Sequence, residues 1–62
     1  MFVVGDAVTN READQIDPPR GRLVEDCGEH GGVRVWLVAW QTDDGREYRL
    51  RIPEPSLRRF GR

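Results

Sequence analysis

Val33-Arg34-Val35-Trp36-Leu37-Val38-Ala39-Trp40, then Gln41-Thr42-Asp43-Asp44-Gly45, then Arg46-Glu47-Tyr48-Arg49-Leu50-Arg51-Ile52, reads as a β-hairpin, and its reading decides the fold. An Asp-Gly pair between two apolar-rich runs is a hairpin turn signal. The second arm alternates. Tyr48, Leu50 and Ile52 point one way and Glu47, Arg49 and Arg51 the other, the period of a half-buried strand. The first arm is apolar on both sides. Trp36, Val38 and Trp40 share one face, and Val33, Val35, Leu37 and Ala39 share the opposite one. A strand apolar on both sides is usually buried on both. In 62 residues this needs either a sharply bent strand that meets the core twice or a cover supplied by a partner or a second copy.

Working outward, Phe2-Val3-Val4 leads through a Gly5-Asp6 turn into a short strand over Ala7-Val8-Thr9. Residues 10–20 are polar and end in Pro18-Pro19. They allow a helical turn over Arg11 to Gln15, but isolated helices this short are marginal and the proline pair fixes an extended exit, so the segment reads as a long loop. Gly21 to Cys27 is a second strand, and Glu29-His30-Gly31-Gly32 a turn in which the paired glycines supply positive φ. Pro53 ends the hairpin's second arm, because proline cannot donate to a sheet ladder. Pro55 to Phe60 reads as one helical or 3-10 turn and a short last strand, with Leu57 and Phe60 on one face.

Short strands joined by glycine-containing turns, with no helix long enough to cover a sheet, predict an all-β fold: one small barrel of about five short strands, with a 3-10 turn near the C-terminus, spanning residues 1–62. Closing the sheet removes its edges. The expected core is Phe2 or Val4, Val8, Leu23, Trp36, Val38, Trp40, Tyr48, Leu50, Leu57 and Phe60.

Composition narrows the function. The chain carries 10 basic and 11 acidic side chains, a net charge of −1, which argues against a strongly electrostatic nucleic-acid binder. The charge is uneven. Residues 1–31 hold seven acids and three arginines, and residues 32–62 four acids and seven arginines. All basic side chains are Arg, in keeping with GC-rich codon usage or with selection for bidentate contact to phosphate or carboxylate. The single Cys27 excludes an intramolecular disulfide, so a reducing, cytoplasmic setting is expected. No segment reads as a signal peptide or membrane span, and no membrane partner is expected.

The order of motifs, Phe2-x-x-Gly5-Asp6-x-Val8, then Gly21-Arg22-Leu23-Val24, Trp36-Leu37-Val38-Ala39-Trp40, Asp44-Gly45-Arg46-Glu47 and Leu57-Arg58-Arg59-Phe60, resembles small SH3-like barrels. Among them is a domain-of-unknown-function family common in actinobacteria, which typically reads Gly-Asp-x-Val, Gly-x-Val-x-x-Val and Val-x-Trp-Asp-Asp-Gly-x-Glu. The resemblance covers nearly the whole chain and implies an SH3-like barrel. The chain departs from the pattern in the extra Gln41-Thr42 and in the acidic, proline-terminated loop at 10–20. The opening is also similar to that of type II dihydrofolate reductase, whose tetrameric pore uses a Val-Gln-Ile-Tyr strand. Here the corresponding place holds Tyr48-Arg49-Leu50-Arg51-Ile52, so that activity is not carried over.

The individual chemical candidates are thin. His30 lies in a glycine-rich turn without the rigid platform and orienting partner a catalytic His needs. Cys27, beside Asp26 and near Glu29, reads as a structural or half-buried cysteine rather than a reactive one. Asp43, Asp44 and Glu47 are too few for a calcium loop. Gly28, Gly31 and Gly32 lack the Lys-Ser/Thr and helix start of a phosphate loop. Trp36 and Trp40 are two rings, where a cation cage needs three or four, so they are assigned to the core. No catalytic residue, cofactor, metal or small-molecule substrate is expected.

Two surfaces remain. Val33, Val35, Leu37 and Ala39 form an apolar row fit for a protein partner or a homo-oligomer contact. Arg49, Arg51, Arg58, Arg59 and Arg62 form a possible patch for phosphate or an acidic partner. The expected role is a non-enzymatic binding or regulatory module acting through protein–protein contact or self-association. The alternative is a nucleic-acid-binding barrel using the Arg-rich C-terminal half.

Overall fold

A computed structural model describes residues 2–11 and 19–60. Five strands and one 3-10 turn follow in the order β1 (Ala7–Asn10), β2 (Arg20–His30), β3 (Val33–Gln41), β4 (Glu47–Pro53), the turn Glu54–Ser56 and β5 (Leu57–Arg59). They build one antiparallel sheet in the order β4-β3-β2-β1-β5. The result is a small, all-β, barrel-like fold, as the turn and strand pattern predicts. None of its described segments is a helix long and apolar enough to cross a membrane.

Direct cross-strand partners share a sheet face, so the register sorts the side chains. Trp36 faces Ile52, Val38 faces both Leu23 and Leu50, and Trp40 faces Tyr48 and Gly21. This is the inner face. Its core is Val8, Leu23, Trp36, Val38, Trp40 and Leu57, with Phe2 and Ile52 packed against it. Of the two candidates at the N-terminus, Phe2 is the one that packs, while Val4 is exposed.

Buried polar atoms are partnered. The Trp36 indole N–H donates to Glu54 Oε1 at 2.8 Å, which ties β3 to the 3-10 turn. The Thr9 hydroxyl, wholly buried, donates to the Pro19 carbonyl at 2.6 Å. No buried side-chain polar atom among the described residues lacks a partner.

Three expectations are corrected. Tyr48 and Leu50 point inward but are 47% and 48% exposed. They sit on β4, the end of the sheet order, where only β3 flanks them among the described residues. Phe60 is half-buried rather than core, with its ring 5.0 Å beneath the Arg20 guanidinium. The stretch Gly28-Glu29-His30 belongs to β2, and only Gly31-Gly32 form the turn. β2 absorbs Gly28 because its register with β3 shifts between Leu23 and Glu25 and again between Asp26 and Glu29, with Gly28 at φ +80°. Such bulges bend a strand and increase its twist. The helical turn expected over Arg11 to Gln15 falls mostly outside the described residues.

Gly21 is the tightest point of the core. A Cβ there would lie 2.7 Å from Val38 Cγ1 and 2.8 Å from Trp40 Cε3. Gly21→Ala gains about 0.4–1 kcal/mol by restricting the unfolded chain, while overpacking a filled core costs about 1–3 kcal/mol. The variant is therefore expected to be destabilised, with a lower urea midpoint and an unchanged slope. An unchanged or raised midpoint would show that the tryptophan packing is slack.

Candidate protein-binding face

The same register builds the outer face. Ala39 lies between Arg22 on β2 and Arg49 on β4, and Leu37 lies between Glu25 and Arg51. Gln41 lies between Arg20 and Glu47, and Val35 faces Pro53. A row of apolar β3 side chains thus runs between two rows of charged ones, four of them arginines. Long arginine side chains lay their methylene stems along apolar surface and keep the charge in water.

This arrangement changes the character of the apolar row. Ala39 is buried within the single chain at 8% exposure. Val33, Val35 and Leu37 are half-buried. The four residues do share one face, but it is a narrow apolar floor, its charged sides carrying four arginines and two glutamates, rather than an open patch.

At one end the floor deepens into an open cleft lined by Ala7, Arg20, Gly21, Arg22, Val24, Ala39, Gln41, Glu47, Arg49 and Phe60. Each arginine here is positioned. Arg20 stacks on the Phe60 ring. Arg22 Nη1 donates to the Gly5 carbonyl at 2.9 Å. Arg49 Nε reaches Glu47 Oε2 at 3.3 Å. At the other end Val35, Arg51, Glu25, Cys27 and His30 line a second open cleft. Arg20 and Arg22 were not singled out as site residues from sequence. Their spacing of two around Gly21 is the signal that puts both on one face of a strand.

The arginines expected to form one patch divide. Arg49 and Arg51 lie on β4, whereas Arg58 and Arg59 lie on β5 at the opposite end of the sheet order. Arg59 pairs with Asp6 at 3.3 Å and stacks over the Phe2 ring at 5.4 Å. Arg58 and Arg59 line a separate cleft with Phe2, Arg11, Glu54 and Leu57. Arg62 lies outside the described residues.

The other candidates are positioned as follows. His30 Nε2 lies 3.1 Å from the Cys27 carbonyl oxygen. Cys27 is half-buried and unpaired. No group of three or more His, Cys, Asp or Glu among the described residues is arranged to hold a metal ion. Asp44 shapes its turn: the Thr42 hydroxyl donates to it, and Gly45 closes the turn at φ +86°.

Three carboxylates, exposed Asp26 and Asp44 and half-buried Asp6, are held below the usual range. The Gly28 backbone N–H and then the Arg34 guanidinium do this for Asp26, which Arg34 meets at 2.7 Å. The Val3 backbone N–H and then Arg59 do it for Asp6. The Thr42 hydroxyl and then the Arg46 backbone N–H do it for Asp44. A carboxylate whose folded pKa is depressed stabilises the fold above its unfolded pKa, and the contribution is lost as pH falls through the folded pKa. The urea midpoint is therefore expected to hold down to about pH 5 and to fall below about pH 4. Asp26→Asn should make that fall shallower. A wild-type midpoint that does not change on acidification would show that these contacts contribute nothing.

Comparison of the chain with protein-family models, with curated proteins and with solved structures finds no match.

Proposed function

We propose that this domain is a non-enzymatic binding module that acts through protein–protein contact, and that the outer face of β3 takes an extended acidic segment of its partner. The observation that carries this reading is the apolar floor of Val35, Leu37 and Ala39 between Arg22 and Glu25 on one side and Arg49 and Arg51 on the other, three arginines to one acid. An extended segment alternates its side chains. Apolar ones would meet the floor, and carboxylates beside them would reach the guanidinium groups, which suit planar carboxylates. A free Cys27 accords with a cytoplasmic module. The nucleic-acid alternative draws less support. Its arginines fall into two separate groups, and the Phe2 and Phe60 rings lie under arginines rather than open for base stacking.

The reading is tested with a synthetic peptide alternating Glu and Leu, titrated into the labelled domain and followed by amide chemical shifts. A peptide with Lys in place of Glu serves as control. Shifts confined to Arg22, Leu37, Ala39 and Arg49, with Arg22→Glu and Leu37→Asp each weakening binding about tenfold, or about 1.4 kcal/mol, are expected. Equal binding of the Lys peptide would overturn the reading. Binding of a single-stranded oligonucleotide with a steep inverse salt dependence would replace it with the nucleic-acid alternative.

A further inference from the structure

The edge of β4 presents a different surface from the outer face. Among the described residues β4 pairs with β3 alone. Its inward side chains Tyr48 and Leu50 are about half exposed although their cross-strand partners Trp40 and Val38 are buried. Its outward side chains alternate with them as Glu47, Arg49 and Arg51. Glu47 touches Arg49 at 3.3 Å, whereas Arg51 makes no ion pair among the described residues. A free strand edge is a template for another strand.

We infer that β4 pairs antiparallel with β4 of a second copy of this chain, about a two-fold axis through Arg49 and perpendicular to the sheet. The sequence of the strand selects both the occupant and the register. With the axis at Arg49, Glu47 of each copy lies directly opposite Arg51 of the other, twice over. On the inner face Tyr48 lies opposite Leu50, again twice. Opposite-charge pairs are a favourable cross-strand combination, and Tyr48 against Leu50 lets two half-exposed apolar side chains cover each other. Neighbouring in-phase registers do worse. An axis at Leu50 sets Arg49 against Arg51 twice, and like charges directly opposite are destabilising. An axis at Tyr48 also makes two opposite-charge pairs, Glu47 with Arg49, but only residues 47–49 of each β4 then pair, with Arg46 set against Leu50 and Arg51 left opposite the turn at Gly45. The chosen register has two costs: Arg49 opposite Arg49, which each chain's own Glu47 offsets, and Arg46 opposite Ile52 at the ends of the ladder.

Alternating charge also blunts an edge against indiscriminate pairing, so the contact is selective for its own register. A ladder of about five residues from each copy is short beside a standard interface. The dimer is therefore weak and reversible, and is read at high protein concentration. The inference concerns the edge of β4 rather than the outer face, and its experiment uses the domain alone. The peptide titration can fail without it, and the reverse.

The experiment is sedimentation equilibrium of the full chain over a wide concentration range, with circular dichroism to confirm folding of each variant. The wild type is expected to reach dimer and no further. Glu47→Arg turns both charge pairs into Arg–Arg, and Arg51→Glu turns them into Glu–Glu, so each variant alone should dimerise at least about tenfold more weakly. An equimolar mixture of the two regains both opposite-charge pairs in a heterodimer and should recover wild-type association, as should the double variant Glu47→Arg/Arg51→Glu. A wild type that stays monomeric overturns the inference. So does a dimer whose strength neither variant changes, or a mixture no stronger than its components.

Discussion

Trp40 can be buried beside Val38 in so short a chain because β2 leaves out a side chain where they need space. Trp40 and Val38 occupy the volume that a Cβ on Gly21 would take. That clearance lets β3 lie close to β2 with its inner face filled by Trp36, Val38 and Trp40. Everything else in the core is placed relative to this row. Val8 comes from β1, Leu23 from β2 and Leu57 from β5. The indole N–H of Trp36 would be costly to bury unpaired, and Glu54 at the start of the 3-10 turn receives it. The turn is thereby fixed beneath β3, and β5 is delivered to the far side of β1, where Phe60 N–H donates to the Ala7 carbonyl.

The bend that curves this sheet lies in β2, not in β3. Two register shifts allow β2 to curve around a β3 that keeps its pairing with β4 unbroken from Val35 to Gln41. A regular β3 keeps its alternation, so its second apolar row stays together on the outside. That row is covered in part by its neighbours. Ala39 is small and sits between the long side chains of Arg22 and Arg49, and so it is buried without any partner. Leu37 and Val35 are larger and stay half-covered. The arginine-rich composition thus has a packing consequence as well as an electrostatic one.

Much of this was legible in the sequence because local rules agree with the global fold. The period of β4, the Asp44-Gly45 turn, the stop at Pro53 and the 3-10 turn before Leu57 all follow from residue-level chemistry. What was not legible depends on neighbours. Periodicity places Tyr48 and Leu50 on the inner face, but strand order decides whether that face is covered, and β4 is last in the order. Gly28-Glu29-His30 has a turn composition, yet it is drawn into β2 because Glu29 and His30 find partners in Arg34 and Val33. The arginine patch was grouped on the expectation that the last segment runs close to the sheet face of Arg49 and Arg51. The sheet puts β4 and β5 at opposite ends of its order and only β3 between β4 and β2, so Arg20 and Arg22 join Arg49 across β3.

The outer face and the edge of β4 meet in Arg49 and Arg51, which belong to both. A second copy paired at that edge would continue the sheet without a break. The two β3 rows would then lie three strand spacings apart, about 14 Å, related by the two-fold axis and running in opposite directions. Each floor is narrow and each edge contact short, so neither supports tight binding alone. Two floors held in one rigid sheet make the second engagement intramolecular, and avidity then rises through effective concentration rather than through new contacts. Such an arrangement favours a partner that offers two acidic segments, or is itself two-fold symmetric. For a small domain whose described clefts are open, doubling a shallow face would be a physical route to selective recognition.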